Sequence, residues 1–220
     1  MYYDLVCSLP HLPYFEEADR LPITPLRLNQ RMKRLGNDHA DQLRAARPLV
    51  QWSAERFKDQ TDLSLDANYR RFQQTAPSPL LHEYVTFRLT QRLLLAALRM
   101  RPLGKKPSAD YRRWGLGSQV ASIHQHWDAP YFQLEYRFTW LPDASERLAA
   151  GDAVGLERIL MGTCWRWLTR VSESSMFSFE SVMAFLFKWD MLRAWLAFDS
   201  PKAKIQFSAL IDKVTHVANS

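Results

Sequence analysis

The chain has 220 residues, 47% hydrophobic and 24% charged, which is enough to bury a sizeable core and unlike a low-complexity polymer. Seven glycines without a single Asn-Gly or Asp-Gly pair argue against an all-β fold, and two cysteines, Cys7 and Cys164, give no disulfide framework and suit a reducing cytoplasm. The net charge of +6 is uneven: residues 1–127 carry 19 Lys/Arg against 12 Asp/Glu, residues 128–199 carry 7 against 10, and the tail from Ser200 carries 3 against 1.

The opening MYYDLVCSLPHLPYF has neither a basic leader nor a long apolar run, so no secretory signal is expected. Tyr2, Tyr3, Leu5 and Val6 fit either a short docked extended segment or the start of a helix. Pro10, Pro13 and Pro22 keep the chain irregular as far as Ile23. Thr24-Pro25 then starts a helix by the cap-then-proline rule, with Leu28, Met32 and Leu35 as its buried stripe and Gly36 as its end. Asp38 is expected to cap the next helix, which should break or kink at Pro48, with a fresh segment through Val50, Trp52 and Phe57. Asp62 or Ser64 caps a helix through Tyr69 and Phe72 that stops at Pro77.

Ser78-Pro79 repeats the cap-and-proline start ahead of the longest regular run. Leu80, Tyr84, Phe87, Gln91, Leu94 and Leu98 lie along one stripe there, Val85 and Leu95 widen it, and Pro102 and Gly104 end it. Residues 105–130 are the softest place to divide what otherwise reads as one helical domain over 1–220, with a short helix through Val120 and Ile123. Asp143 to Ala150 forms a helix closed by Gly151. Asp152 caps another through Leu156, Leu160, Cys164, Trp167 and Leu168. From Phe177 to Phe198 the apolar residues Val182, Phe185, Leu186, Trp189, Leu192 and Leu196 recur at helical spacing, and Met183, Phe187, Ala194, Trp195 and Phe198 cover much of the remaining circumference. Such a helix must be enclosed by protein. A membrane span of that length would carry Glu180, Lys188, Asp190 and Arg193 into the bilayer, each costing at least ~2.5 kcal/mol. Ser178 is its expected N-cap, and Pro201 to Val217 reads as a final amphipathic helix through Ile205, Phe207, Leu210 and Ile211.

No set of catalytic residues emerges. The chain has no phosphate-cradling glycine loop, no zinc-type cysteine pair and no helical His-Glu motif. His124 and His126 form the closest histidine pair, and nothing near them in sequence completes a metal site. Glu83, Glu135, Glu157 and Glu180 sit in apolar stretches, where a buried pairing with arginine is a simpler use than acid-base chemistry. Trp165, Trp167, Trp189 and Trp195 fall within apolar helical runs and read as packing residues. The densest basic run, Arg88, Arg92, Arg99, Arg101, Lys105, Lys106, Arg112 and Arg113, is opposed only by Asp110. It suits a solvated face, or a surface for nucleic acid, an anionic membrane or an acidic protein.

Three stretches, YYDLVCSLPHLPYF, LLHEYVTFRLTQRLLLAALRMRPLG and the block from Phe132 to Lys204, together resemble a bacterial family that accompanies V/A-type ATPases. Its members look like divergent, shortened relatives of the ATPase's C-type subunit, whose counterpart in eukaryotic V-type enzymes is the d-type subunit. The most specific part is Phe179-Glu180-Ser181-Val182, then Phe185-Leu186-Phe187-Lys188-Trp189, Arg193-Ala194-Trp195 and Phe198-Asp199. For the C-type subunit the resemblance implies an all-α, funnel-like body that sits on the membrane rotor ring and holds the foot of the central stalk. The C-type subunit builds its funnel from repeated helical units, and this chain is too short to carry all of them and shows no internal repeat. The implied role is therefore either a reduced rotor coupling subunit or an assembly accessory.

The combined expectation is an all-α multi-helix bundle resembling part of the fold of the V/A-type ATPase's C-type subunit. It would be non-catalytic, without cofactor or metal, cytoplasmic and peripheral at the inner membrane through the ATPase. Its partners would be the central stalk and the membrane ring. Arg99, Arg101, Lys105, Lys106, Arg112 and Arg113 would face those partners from the end of the longest helix, while Glu180, Val182, Phe185, Leu186, Lys188, Trp189 and Trp195 would build the core. The alternative is a basic helical nucleic-acid-binding or general protein-interaction module using the run from Arg88 to Arg113. An enzyme comes last, because no nucleophile and base can be paired.

Overall fold

The computed structural model describes residues 1–52, 62–107 and 118–198. Among these residues the regular structure is helical, with nine α-helices and no strand. In chain order they are α1 (Tyr3–Ser8), α2 (Pro25–Met32), α3 (Asn37–Val50), α4 (Asp62–Thr75), α5 (Pro79–Met100), α6 (Val120–Gln125), α7 (Leu141–Ala149), α8 (Ala153–Ser174) and α9 (Phe179–Phe198), with 3-10 turns at Phe15–Glu17 and Pro130–Gln133. The residues expected to form a C-terminal helix, 201–217, and Phe57 lie outside the described residues.

The starts of the long helices follow from their capping residues. Thr24 accepts from the Arg27 amide ahead of Pro25, and Ser78 accepts from the Leu81 amide ahead of Pro79. Asp152 Oδ1 accepts from the Gly155 amide at 2.8 Å, and Ser178 Oγ from the Glu180 amide at 3.1 Å. Each side chain satisfies a donor that the first helical turn leaves open.

The hairpin of α8 and α9 is the centre of the fold. Its short connection makes the two helices antiparallel neighbours, and α9 is further enclosed by α5, α1 and the first 3-10 turn. Val182, Met183, Leu186, Phe187, Trp189, Met191, Leu192 and Trp195 of α9 are buried in a core to which every other α-helix contributes, among others through Leu5, Leu28, Leu49, Phe72, Tyr84, Ile123, Leu141 and Leu160. Trp189 also donates its indole N–H to the Ile23 carbonyl at 3.0 Å, fixing the segment before α2 to the central helix. Tyr84 of α5 is wedged between aromatic rings, 5.1 Å from both Trp167 and Phe187.

The amino-terminal segment is held by the hairpin turn. The Tyr2 amide donates to the Phe177 carbonyl at 2.6 Å, and the Tyr3 ring lies 4.7 Å from the Phe177 ring. Phe177 has φ of 59°, a left-handed conformation uncommon for an aromatic residue, which lets the chain reverse between α8 and α9.

Four expectations need correction. α3 runs through Pro48 to Val50. Proline forfeits one ladder bond and crowds the preceding turn, and here it lies in the final turn, where little helix remains to be disrupted. Gly36, expected to close α2, instead precedes α3 as its N-cap residue, and Asp38 lies in the first turn without capping it. Phe185 and Leu196 are half-buried, not core, because the envelope around α9 is incomplete along their side of the helix. Phe198, at the end of α9, is exposed.

Candidate protein-interaction surface

The basic run divides into a buried part and a surface part. Arg88 is only 4% exposed. It shares the inward face of α5 with Tyr84 and Gln91, and its guanidinium carbon lies 3.7 Å from the centroid of the Trp52 ring. The same group donates to Gln91 Oε1 and approaches Cys164 Sγ of α8 at 4.0 Å. Gln91 in turn donates through Nε2 to Thr163 Oγ1 at 2.9 Å and to the Leu160 carbonyl at 3.2 Å. A polar network thus ties α5 to α8 inside the core, where a cation over an aromatic face is favourable.

Burial governs the acid-base behaviour of this interior. It pushes the Cys164 thiol up to about 11 against the opposing pull of Arg88, and it pushes the Tyr84 phenol well above its ordinary value. Glu157 is also raised by burial, with Arg88 and Arg99 acting the other way. Arg92 is lowered to about 10, first by burial and then by repulsion from Arg88.

The surface part begins where α5 ends. Gly104, at φ 65°, turns the chain, and the Lys105 amide donates back to the Met100 carbonyl at 3.1 Å. This closure satisfies carbonyls at the helix end. It leaves Arg99, Lys105 and Lys106 exposed together with Leu103, and cations are favoured at that end of a helix by its dipole. Arg101 is placed differently. It is half-buried, donates through Nη1 to the Ala129 carbonyl at 3.1 Å and through Nη2 to the Asp128 carbonyl at 3.4 Å, and lies 5.3 Å from the Phe132 ring centroid. It therefore anchors the connection between α6 and α7 to the end of α5, a structural duty that the expected partner-facing role did not include. Arg112 and Arg113 lie outside the described residues.

The remaining candidates are dispersed over the fold. His124 is in the last turn of α6 and His126 is its C-cap, and among the described residues no group of three His, Cys, Asp or Glu side chains could hold a metal ion. Glu83 is exposed, whereas Glu135, Glu157 and Glu180 are half-buried. Val182, Leu186, Trp189 and Trp195 are in the core. Lys188 is half-buried, with Nζ 5.3 Å from the Trp165 ring centroid, and burial lowers its pKa to about 8.

Sequence reasoning missed the hydrogen-bonded pairing of Arg47 in α3 with Asp190 in α9 and the partners that receive Arg88, Trp52 and Cys164. A signal existed for both, since a charge inside an apolar helical stripe requires a partner once buried. What it could not supply was the partner's identity, because Arg47 and Cys164 are distant in sequence from the residues they meet.

The fold and this surface define an all-α protein in which, among the described residues, no helix is long and apolar enough to cross a membrane. The chain belongs to the family described as "Protein of unknown function (DUF2764)", whose model matches residues 45–218. No curated protein and no solved structure matches it. The family match begins within α3, so α1, the first 3-10 turn and α2 lie before it.

Proposed function

We propose that the chain is a non-catalytic coupling or accessory subunit of a V/A-type ATPase, linking the central stalk to the membrane rotor ring from the cytoplasmic side. One observation supports this most. The stretches that most resemble the bacterial family accompanying V/A-type ATPases, Leu80 to Gly104 and Phe132 to Lys204, take in α5, α7, α8 and α9, the helices that carry most of the core. Among the described residues the resemblance therefore falls on the packed helical scaffold. A subunit that transmits torque works through rigid packed helices and surface contacts, which such a scaffold supplies.

The exposed cations Arg99, Lys105 and Lys106 at the end of α5 are suited to an acidic stalk foot or to polar ring loops, where complementary charge speeds and orients docking. The withdrawal of Arg88 into the core counts against a phosphate-binding surface running the whole length from Arg88 to Arg113. The test is reconstitution from purified parts. The chain mixed with the cognate stalk protein, or with the detergent-solubilised ring, should elute with it in size-exclusion chromatography, more completely at low salt than at high salt. Separate elution from both at low salt would contradict the proposal.

A further inference from the structure

A groove of about 480 Å³ lies between the amino-terminal segment and the α8–α9 hairpin. Leu9 and Leu12 form one wall, Met176 and Phe177 the end, and Phe185 and Lys188 the other wall. Ser181, Phe185 and Lys188 stand at i, i+4 and i+7, which puts them on one face of α9, and all three line the groove. The half-burial of Phe185 and Lys188 is explained by this opening.

The chemistry of the groove is apolar with a cation set into it. The Lys188 ammonium is partly withdrawn from water, and among the described residues no ion pair engages it. Glu173, also in the lining, acts on it only through space. Thr169 is shared with a neighbouring hollow under Phe87 and Trp167, whose rim carries Arg166 and Arg170. Both arginines are exposed and engaged in no ion pair among the described residues. The surface around the groove is thus positive, with Glu173 as the one carboxylate in the two linings.

We propose that this groove is the docking site for an acidic amphipathic helix of a partner protein, its apolar residues seated between Leu9, Leu12 and Phe185 and one of its carboxylates paired with Lys188. A carboxylate brought into the groove would meet a cation that burial has already stripped of part of its water, and helices commonly dock in this way through apolar anchors at three-and-four spacing. The chain's own tail is poorly matched, since residues 200–220 carry three Lys against one Asp. Nucleic acid is disfavoured too. Of the two phenyl rings in its lining, Phe177 already packs against the Tyr3 ring at 4.7 Å and Phe185 shares the lining with the aliphatic Leu9, Leu12 and Met176, so the groove presents no pair of open rings for bases to stack on. This proposal stands independently of the ATPase reading.

The experiment is an unbiased selection of displayed 16-residue peptides on the full chain, followed by affinity measurement of the most enriched synthetic peptide. Enriched sequences should carry apolar residues at helical spacing flanked by Asp or Glu. Lys188→Glu should weaken binding at least tenfold, Lys188→Arg should retain it, and Glu173→Lys should strengthen it, with circular dichroism confirming each fold. The Glu173 variant keeps the test decisive should Lys188→Glu fail to fold. Selected peptides without acidic bias, or affinities unmoved by the variants that fold, would overturn the proposal. So would Lys188-dependent binding of poly(U) RNA or of phosphatidylglycerol vesicles with no peptide binding.

Discussion

Arg47 of α3 grips Asp190 of α9 with two parallel hydrogen bonds, Nε to Oδ2 at 3.1 Å and Nη2 to Oδ1 at 2.7 Å. The side chains are unequally buried, Arg47 being 37% and Asp190 7% exposed. A carboxylate in the apolar central helix is thereby neutralised by a cation that reaches in from the surface, and Arg193 adds a weaker contact at 3.6 Å.

The inequality makes the two halves of the pair behave differently on mutation. Arg47→Ala strands a buried charge and should cost about 3 kcal/mol. Asp190→Ala leaves an arginine that can turn to water and should cost less, about 1.5–3 kcal/mol, the range for a lost hydrogen bond to a charged group. Urea unfolding of both variants checks the order, and an equal or reversed order would show that Asp190 is not held as the structure places it.

The two cysteines should differ sharply toward thiol reagents. Cys7 is exposed, whereas Cys164 is buried, and its pKa of about 11 leaves little thiolate at neutral pH. Native protein should take up one equivalent of a thiol reagent quickly and the second only after unfolding. Rapid labelling of both under native conditions would contradict the packing of α8 against α5.

The pH dependence of stability should carry a mark of Lys188. Burial lowers its pKa from 10.5 to about 8 in the folded chain. Between those values the unfolded chain holds a proton that the folded chain has released, so this group makes stability rise with pH. Its unfavourable contribution is full below pH 8. Cys164, raised from 9.0 to about 11, has the opposite slope from pH 9 upward. The lysine's effect therefore stands clear between pH 8 and 9. Lys188→Met should be more stable relative to wild type at pH 7 than at pH 9, measured by urea unfolding at the two values.

Within the basic run, Arg101 should separate from its neighbours. Arg101→Glu removes the donors to the Asp128 and Ala129 carbonyls and should lower the melting temperature, whereas Lys105→Glu and Lys106→Glu should leave it nearly unchanged. Thermal unfolding of the three variants decides this, and an unchanged melting temperature for Arg101→Glu would return that residue to the free surface.

Much of the fold was legible in the sequence because it rests on local signals. Thr24-Pro25, Ser78-Pro79 and Asp152 announce helix starts, and the nearly complete apolar circumference from Phe179 to Phe198 requires an enclosed helix. Positions that depend on neighbours were not legible. Phe185 has the right spacing for the core, and only the path of the amino-terminal segment makes it a groove residue. A truncation such as Phe187→Ala should accordingly cost about 3–5 kcal/mol, and Phe185→Ala less. The basic run was visible as composition, but its fate along α5 was not: Arg88 and Arg99, eleven residues apart, lie on nearly the same side of the helix, and the core covers Arg88 whereas Arg99, in the last turn, is exposed. Arg101 was read as surface because its acceptors are backbone carbonyls, which sequence cannot place.

The measurement that bears most directly on the proposed role is recovery of partners from native membranes. An affinity-tagged chain solubilised in mild detergent should bring down the catalytic, stalk and ring components of the V/A-type ATPase in fixed proportion. Reversal of Arg99, Lys105 and Lys106 to Glu should reduce that recovery without unfolding the chain. Recovery of none of these components, with the tagged chain intact and folded, would contradict the role in the ATPase.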